Sequence, residues 1–321
     1  MTAPMRVVAL GVHVVDVLVR PVTEIPAGQG GQLVDSIRIT AAGPAGGTAL
    51  TLAKLGAEVR SAGAIGTDAL GDVLIDLLGR AEVDTSLLVR RTDAAVQTSA
   101  SVLPIRPDGS RPAFHVVGAN ATYTAADAPW DAIAAATHLH LGAPEFMGGE
   151  QAAQILAFAR EHGVTTSADL LAPGDQAAAV LDWIAPVFAH LDYLLPSDEQ
   201  VLGLTGADDL ADGCRALRDR GVGCVAATRG GEGVLVVDDE GEVALPAFAV
   251  DVVDTTGCGD AFSAGFLRGL SLGRSHAQAA ALGCACAALV ATGLGSDHGA
   301  FDLAAADTFA AQTPTRSTVS S

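Results

Sequence analysis

Asp260 directly follows the turn Gly257-Cys258-Gly259 and opens a helical pattern, and no other segment of the 321 residues is better spaced for chemistry. Glycines let a backbone fold tightly and turn successive N–H groups outward. Those amides, added to the positive end of a helix dipole, suit an anion such as phosphate. A carboxylate in that first turn is held ionised by the same dipole and can take a proton from a substrate hydroxyl. The plainer reading makes Asp260 a helix N-cap, and spacing alone leaves both open. Cys258 shares the turn. A helix N-terminus lowers a thiol pKa and raises its reactivity, with Asp260 opposing the shift; the alternative is a small filler packed under the turn.

Other residues carry weaker signals. His13 lies three positions before Asp16 and suits either substrate contact or packing. His138 and His140 share one face of a strand, where packing at the end of a sheet is expected in place of a metal. Asp169 follows a strand, the end at which α/β folds bind their ligands. Arg111 sits on an expected hairpin and Arg229 beside a glycine turn; each reaches a ligand or is solvated.

Composition removes whole classes of function. The net charge is −19, with 37 acidic and 18 basic residues, so nucleic acid and anionic membranes are not expected partners. Lys54 is the only lysine and stands in neither a Walker A loop nor a kinase strand motif. Phosphate chemistry here must use arginine, metal, backbone amides and helix dipoles. Five cysteines, an odd and scattered set, suit a reducing compartment, and Cys284-Ala-Cys286 lacks a second pair at zinc spacing. Apolar runs are too short to span a bilayer. The start, MTAPMRVVALG, reads as neither a signal nor a transit peptide, so a cytoplasmic protein is expected.

The positioning elements follow from hydrophobic periodicity. Residues 6–12, 58–64, 86–90, 137–142, 164–168, 192–195 and 223–228 read as strands, and 233–246 as a hairpin. Helices are expected at 44–56, 69–81, 149–162, 175–189, 206–220, 260–271 and 276–291. Strands separated by helices imply βαβ units and a mostly parallel sheet covered on both faces. Residues 13–40 read as short exposed strands. Residues 97–118 read as two antiparallel strands around Pro107-Asp108-Gly109. The polar tail 313–321 reads as disordered.

Four segments, in order, resemble one family. Asp254-Thr-Thr-Gly-Cys-Gly-Asp-Ala-Phe262 is similar to the C-terminal signature of the ribokinase-like (PfkB) carbohydrate kinases. Gly63-Ala-Ile-Gly-Thr-Asp-Ala-Leu-Gly71 with Val83-Asp-Thr-Ser86, the glycine-rich Ala42–Gly56, and Thr228-Arg-Gly-Gly-Glu-Gly233 resemble three further blocks. The resemblance implies one kinase domain over 1–312: an α/β sandwich with a mostly parallel central sheet and a small β lid from about 13–36 and 97–120. It implies transfer of the γ-phosphoryl group of ATP, with Mg²⁺, to a hydroxymethyl group. A sugar or sugar acid is the expected acceptor, with a nucleoside as one alternative and a catalytically weak nucleotide- or metabolite-binding regulator as another.

By resemblance, Asp260 is the base and Gly257, Cys258 and Gly259 form the anion hole. Thr228, Gly230 and Gly233 line the ATP site, which the helix at 276–291 borders. Asp16, Gly43 and Gly47 bind the acceptor. Asp254 and Thr256, with the 293–296 loop, border a monovalent-cation site, K⁺ by expectation. The lid is expected to form a homodimer. Three departures stand out: Ala42 replaces a glycine, Gly47 replaces a sugar-binding asparagine, and Ser197-Asp-Glu-Gln200 replaces Asn-x-x-Glu. From these, Gly47 is expected to leave room for a bulkier or less hydroxylated acceptor than ribose. Gln200 is expected to weaken Mg²⁺ binding by about tenfold relative to a glutamate.

Overall fold

The computed structural model describes residues 4–107, 110–171 and 174–316. Its strands are β1 (Arg6–Gly11), β2 (Val14–Arg20), β3 (Ser36–Ala42), β4 (Glu58–Gly66), β5 (Asp84–Arg91), β6 (Ala100–Pro104), β7 (Phe114–Val116), β8 (His138–Gly142), β9 (Thr165–Asp169), β10 (Tyr193–Leu194), β11 (Cys224–Thr228), β12 (Val234–Asp238) and β13 (Gly241–Leu245). Its helices are α1 (Pro44–Lys54), α2 (Ala69–Arg80), α3 (Trp130–Ala134), α4 (Gly149–Glu161), α5 (Gly174–Phe188), α6 (Asp198–Thr205), α7 (Leu210–Asp219), α8 (Cys258–Ser271), α9 (His276–Ala291) and α10 (Leu303–Gln312).

Nine strands form one sheet in the order β13-β12-β11-β10-β9-β8-β1-β4-β5. From β11 to β5 every pairing is parallel; β12 and β13 add an antiparallel edge. Strand β1 shows why the sheet is buried on both sides. Its Val8 and Leu10 join a core with α4, α5, α6 and α7, through Ile155, Phe188, Val201 and Leu217. Its Val7 and Ala9 join the opposite core with α1, α2, α8 and α9, through Leu52, Leu74, Phe266 and Ala280. A central parallel strand therefore reads as a continuous apolar run.

Helices α8 and α9 pack through small residues. A Cβ on Gly265 would come within 2.8 Å of Gly283 Cα, and one on Gly269 within 2.7 Å of Ala279 Cα. Bulk at either position would push α8, and Asp260 with it, off α9. Lys54 closes α1 onto the loop before α10. Its Nζ donates to the carbonyls of Asp297, His298 and Gly299 at 2.8, 2.9 and 2.8 Å and lies 4.8 Å from the Phe301 ring centroid.

The second sheet, β3-β2-β6-β7, pairs β2 antiparallel with β3 and parallel with β6. The short exposed strands expected over 13–40 are only half right: β3 is an edge with Ile37 and Ile39 exposed, but Val14, Val15, Asp16 and Leu18 of β2 are buried, and β3 runs on to Ala42. The antiparallel pair at 97–118 is present as β6–β7, while residues 108 and 109 of its expected turn lie outside the described residues. The single helix expected at 206–220 is preceded by a separate helix, α6, and begins only at Leu210. The tail expected to be disordered over 313–321 begins as an ordered segment held by one β-bridge, Phe248 to Thr315. Ala249 N donates to Pro314 O, and Arg316 N to Ala247 O, at 2.9 and 2.8 Å; residues 317–321 lie outside the described residues. No helix among the described residues is long and apolar enough to cross a membrane.

Candidate active site

Side chains cap α2, α6, α7, α9 and α10, through Asp68, Ser197, Asp209, Ser275 and Asp302. Helices α1 and α8 have glycine there instead, Gly43 and Gly257, with no side-chain hydrogen bond. Both glycines have positive φ, 88° and 76°, and a Cβ on either would strike protein: Val12 O at 2.6 Å, Ser296 Cβ at 2.5 Å. At α8 the first turn is left open to a ligand's charge, whereas at α1 Pro44 has no N–H and Ala45 N donates to Val12 O at 3.2 Å.

Asp260 sits where these two helices meet. Its Oδ2 lies 2.0 Å from where a Cβ on Gly47 would stand, in the first turn of α1. Asp260 is half-buried, directly after Gly259 of the cavity wall. Burial pushes its carboxyl up to about 7; the Asp16 charge adds to the rise and Arg111 opposes it. A base titrating near neutrality is suited to taking a hydroxyl proton. The expectation that Gly47 widens the acceptor pocket is therefore corrected, because Asp260 itself fills that space.

Asp16 comes from the lid. In β2 it pairs with Thr40 of β3 and Ser101 of β6, and Ser101 pairs with His115 of β7. Alternation along strands puts these four on one face. The Ser101 hydroxyl lies 2.9 Å from His115 Nδ1. Asp16 Oδ1 is buried without a hydrogen-bond partner, and burial pushes the carboxyl up to about 6, which Ser101 and Arg111 oppose. Ser101 and His115 were missed in the sequence, since only strand register reveals them. His13 packs below, fully buried. Its Nδ1 lies 3.0 Å from Gly11 O, and burial lowers its pKa to about 4. Asp169 is buried beside Ser263, and burial and the Asp260 charge hold its carboxyl well above the usual range. His138 and His140 lie buried in the sheet, pushed down to about 4.

The nucleotide-type residues gather separately. Thr228, Gly230, Gly233, Cys258 and Gly259 line one cavity of about 420 Å³, with Phe248, Val250, Ala287 and Ala288 as an apolar wall. In its turn, Cys258 N donates to Thr255 O at 3.3 Å, so the outward amides are those of Gly259 and Asp260, which have no protein acceptor among the described residues. The geometry favours the packed reading of Cys258 over the reactive one. Cys258 Sγ points at Ala287 O, 3.5 Å away, and burial, with the Asp254 and Asp260 charges, pushes the thiol up to about 12. Arg111 reaches in from the lid: its Nε donates to Thr255 Oγ1 at 3.1 Å and lies 4.0 Å from Asp254. Arg229 pairs with Glu232. Asp254 anchors the turn, accepting from Thr256 N, Thr256 Oγ1 and Gly295 N at 3.0, 2.8 and 3.0 Å. A second cavity of about 380 Å³, between Arg6, Glu58 and Asp84, lies at the opposite ends of β1 and β4 and holds none of these residues.

Gln200 does not face this cavity as a metal ligand would. Its Oε1 accepts from Ser197 N at 2.8 Å and its Nε2 donates to Leu170 O at 3.1 Å, a capping box on α6. Asp198 and Glu199 line the cavity in its place. We expect Gln200→Glu to leave half-saturating Mg²⁺ within about twofold, and to cost about 1–3 kcal/mol because a carboxylate cannot donate to Leu170 O. Activity titrated against Mg²⁺, beside thermal melts, checks this; a tenfold tighter Mg²⁺ response would restore the original expectation.

Residues 6–301 match the sequence profile of the pfkB family carbohydrate kinases. An ATP-dependent ribose-1-phosphate kinase from Halopiger xanaduensis is 30% identical over 270 residues, 82% of this chain and 83% of that one. A cytidine kinase from Thermococcus kodakarensis is 36% identical over 104 residues, 32% of this chain and 37% of that one. The structure of an Arabidopsis thaliana ribokinase complexed with ribose and ATP superimposes with a TM-score of 0.81 at 21% identity, covering 96% of this chain and 99% of that one. The fold is ribokinase-like.

Proposed function

Because the chain belongs to the pfkB family of carbohydrate kinases, we propose that it transfers the γ-phosphoryl group of ATP to a hydroxymethyl group of a sugar or sugar acid, with Asp260 as general base. The observation that carries this is the seat of Asp260 in the open first turn of α8, against Gly47 of α1 and between the lid's Asp16 and the 420 Å³ cavity. Asp260 takes the proton of the acceptor hydroxyl. The freed oxygen bonds to the γ-phosphorus as its bond to ADP breaks. Charge on the transferring group falls on the amides of Gly259 and Asp260 and on Arg111. Phosphoryl transfer needs such positioning and neutralisation more than covalent chemistry.

Mg²⁺ bound with ATP would neutralise phosphate charge, and Asp198 and Glu199, as oxygen donors lining the cavity, would hold it. For an alkali cation, the Asp254 carboxylate and the buried, unpartnered Ser296 hydroxyl offer hard oxygens next to Gly257. Asp16 and Ser101 on the lid would bind acceptor hydroxyls. A nucleoside acceptor is the second reading, favoured by the likeness to the cytidine kinase. ADP release measured across ribose, fructose, sugar phosphates, sugar acids, cytidine and adenosine tests the whole. Turnover with one class identifies the acceptor; no release above the acceptor-free background with any of them would overturn the proposal.

We also propose that the lid's outer face forms a homodimer. Register sets Ile39, Val17, Val102 and Phe114 side by side on it, and Ile39, Val102 and Phe114 are 46%, 44% and 59% exposed. Fully burying such a side chain contributes about 1.5–3 kcal/mol, and covering the half still exposed here contributes about half of that. The expected result is a solution mass of twice the 32.2 kDa chain, halved in Ile39→Asp; a monomeric unmutated protein would refute it.

A further inference from the structure

Arg316 is the last described residue, and it lies on the wall of the nucleotide cavity. Its backbone is fixed by pairing: Phe248 bridges Thr315, and Arg316 N donates to Ala247 O at 2.8 Å. Its guanidinium lies over the glycine loop, so that a Cβ on Gly231 would stand 2.7 Å from Nη1. Of the arginines near the cavity, Arg111 is bonded to Thr255 and Arg229 to Glu232, whereas the Arg316 side chain has no hydrogen bond or ion pair among the described residues. Arg316 is exposed, as is Arg220, equally unpaired among the described residues but away from the cavity, so it is its place on the cavity wall that marks it.

We propose that Arg316, carried by the segment that pairs with residues 247–249, is a nucleotide-binding residue that contacts the base and ribose of the bound nucleotide. This rests on the reading of the 420 Å³ cavity as the ATP site. The phosphates belong at the other end, where the amides of Gly259 and Asp260 and the Thr255–Arg111 pair lie. Arg316 is anchored at Ala247, beside the apolar wall of Phe248 and Val250 that suits a base. A planar guanidinium stacks on an aromatic face and donates in a fixed fork, which an ammonium cannot do. The C-terminal segment thus closes one side of the nucleotide site.

Calorimetric binding of ADP and of inorganic tripolyphosphate to the full chain separates the possibilities. Arg316→Ala should weaken ADP about five- to twentyfold and leave tripolyphosphate within about twofold, the sizes expected for a stacked or hydrogen-bonded guanidinium. Arg316→Lys should fall between the two. Arg220→Ala removes the same charge at a residue that does not line the cavity, and should bind ADP like the unmutated protein. If the unmutated protein binds no ADP, the nucleotide reading itself falls. If it binds and Arg316→Ala binds equally well, only the assignment of Arg316 falls. Equal losses for ADP and tripolyphosphate would overturn contact at the base and ribose, and an equal loss in Arg220→Ala would reduce the effect to net charge.

Discussion

Asp260→Asn should lower kcat by about 10²–10⁴ while changing ADP affinity little, because it removes the proton acceptor and keeps the shape. The same substitution should stabilise the fold. The Asp260 carboxyl has a pKa of 3.8 in its ordinary state and is pushed up to about 7 here, first by burial and then by the Asp16 charge. A carboxyl raised in this way favours the folded state fully below about pH 4, and that contribution is lost as pH rises through about 7. At 1.36 kcal/mol per unit, the charged form costs up to about 4 kcal/mol, an upper bound for a half-buried residue. Asparagine carries no such charge, so Tm measured at pH 8 should rise while activity collapses. In the unmutated enzyme kcat/KM should fall as pH drops through about 7, with an apparent value belonging to the Asp16–Asp260 pair. An asparagine variant retaining more than about a third of kcat would remove Asp260 from the role of base.

Gly47→Ala should be almost as damaging, for a steric reason. The added Cβ would stand 2.0 Å from Asp260 Oδ2 and 2.7 Å from its Cγ. Asp260 must swing away, and a misplacement near 1 Å costs about 10² in rate. Alanine within a helix otherwise stabilises by about 0.5–1 kcal/mol over glycine. The expected signature is therefore a kcat about 10²-fold down or lower, with ADP binding retained and Tm little changed. Unmutated kcat in Gly47→Ala would show that the carboxylate has room elsewhere, and would weaken the case for its present seat.

Parallel strands were legible because burial on both faces writes apolar runs such as Val7–Leu10, and helices α2, α4, α8 and α9 because they are long. Helix α6 was hidden: it has eight residues, a polar first turn, and only Val201 and Leu204 buried. Helix α10 buries only Ala306 and gives no periodic signal. The lid strands misled for the opposite reason. Their apolar residues face outward at Ile37 and Ile39 and inward at Leu18, a split that depends on pairing with a segment eighty residues away. At the site, the glycine turn and Asp260 stood out because tight turns demand particular residues. Ser101, His115 and Arg316 did not, since strand register brings the first two near Asp16 and a single bridge to Phe248 brings Arg316 near Gly231. The Gly47 substitution was visible, but what fills its space belongs to a helix more than two hundred residues later.

Lys54 gives this protein a single ε-amine. Lysine-directed acylating reagents, cross-linkers and amine-coupling surfaces therefore meet one side-chain target. That target is cradled by the carbonyls of Asp297, His298 and Gly299, and burial holds its pKa below the usual lysine value. The same loop carries Gly295, bonded to Asp254, and Ser296, packed on Gly257. Acylation requires the amine to leave its cradle, so its rate counts openings of the segment that supports the Gly257–Gly259 turn. One mass-spectrometric peak, followed over time with and without nucleotide, would serve as a native clock for the breathing of that segment.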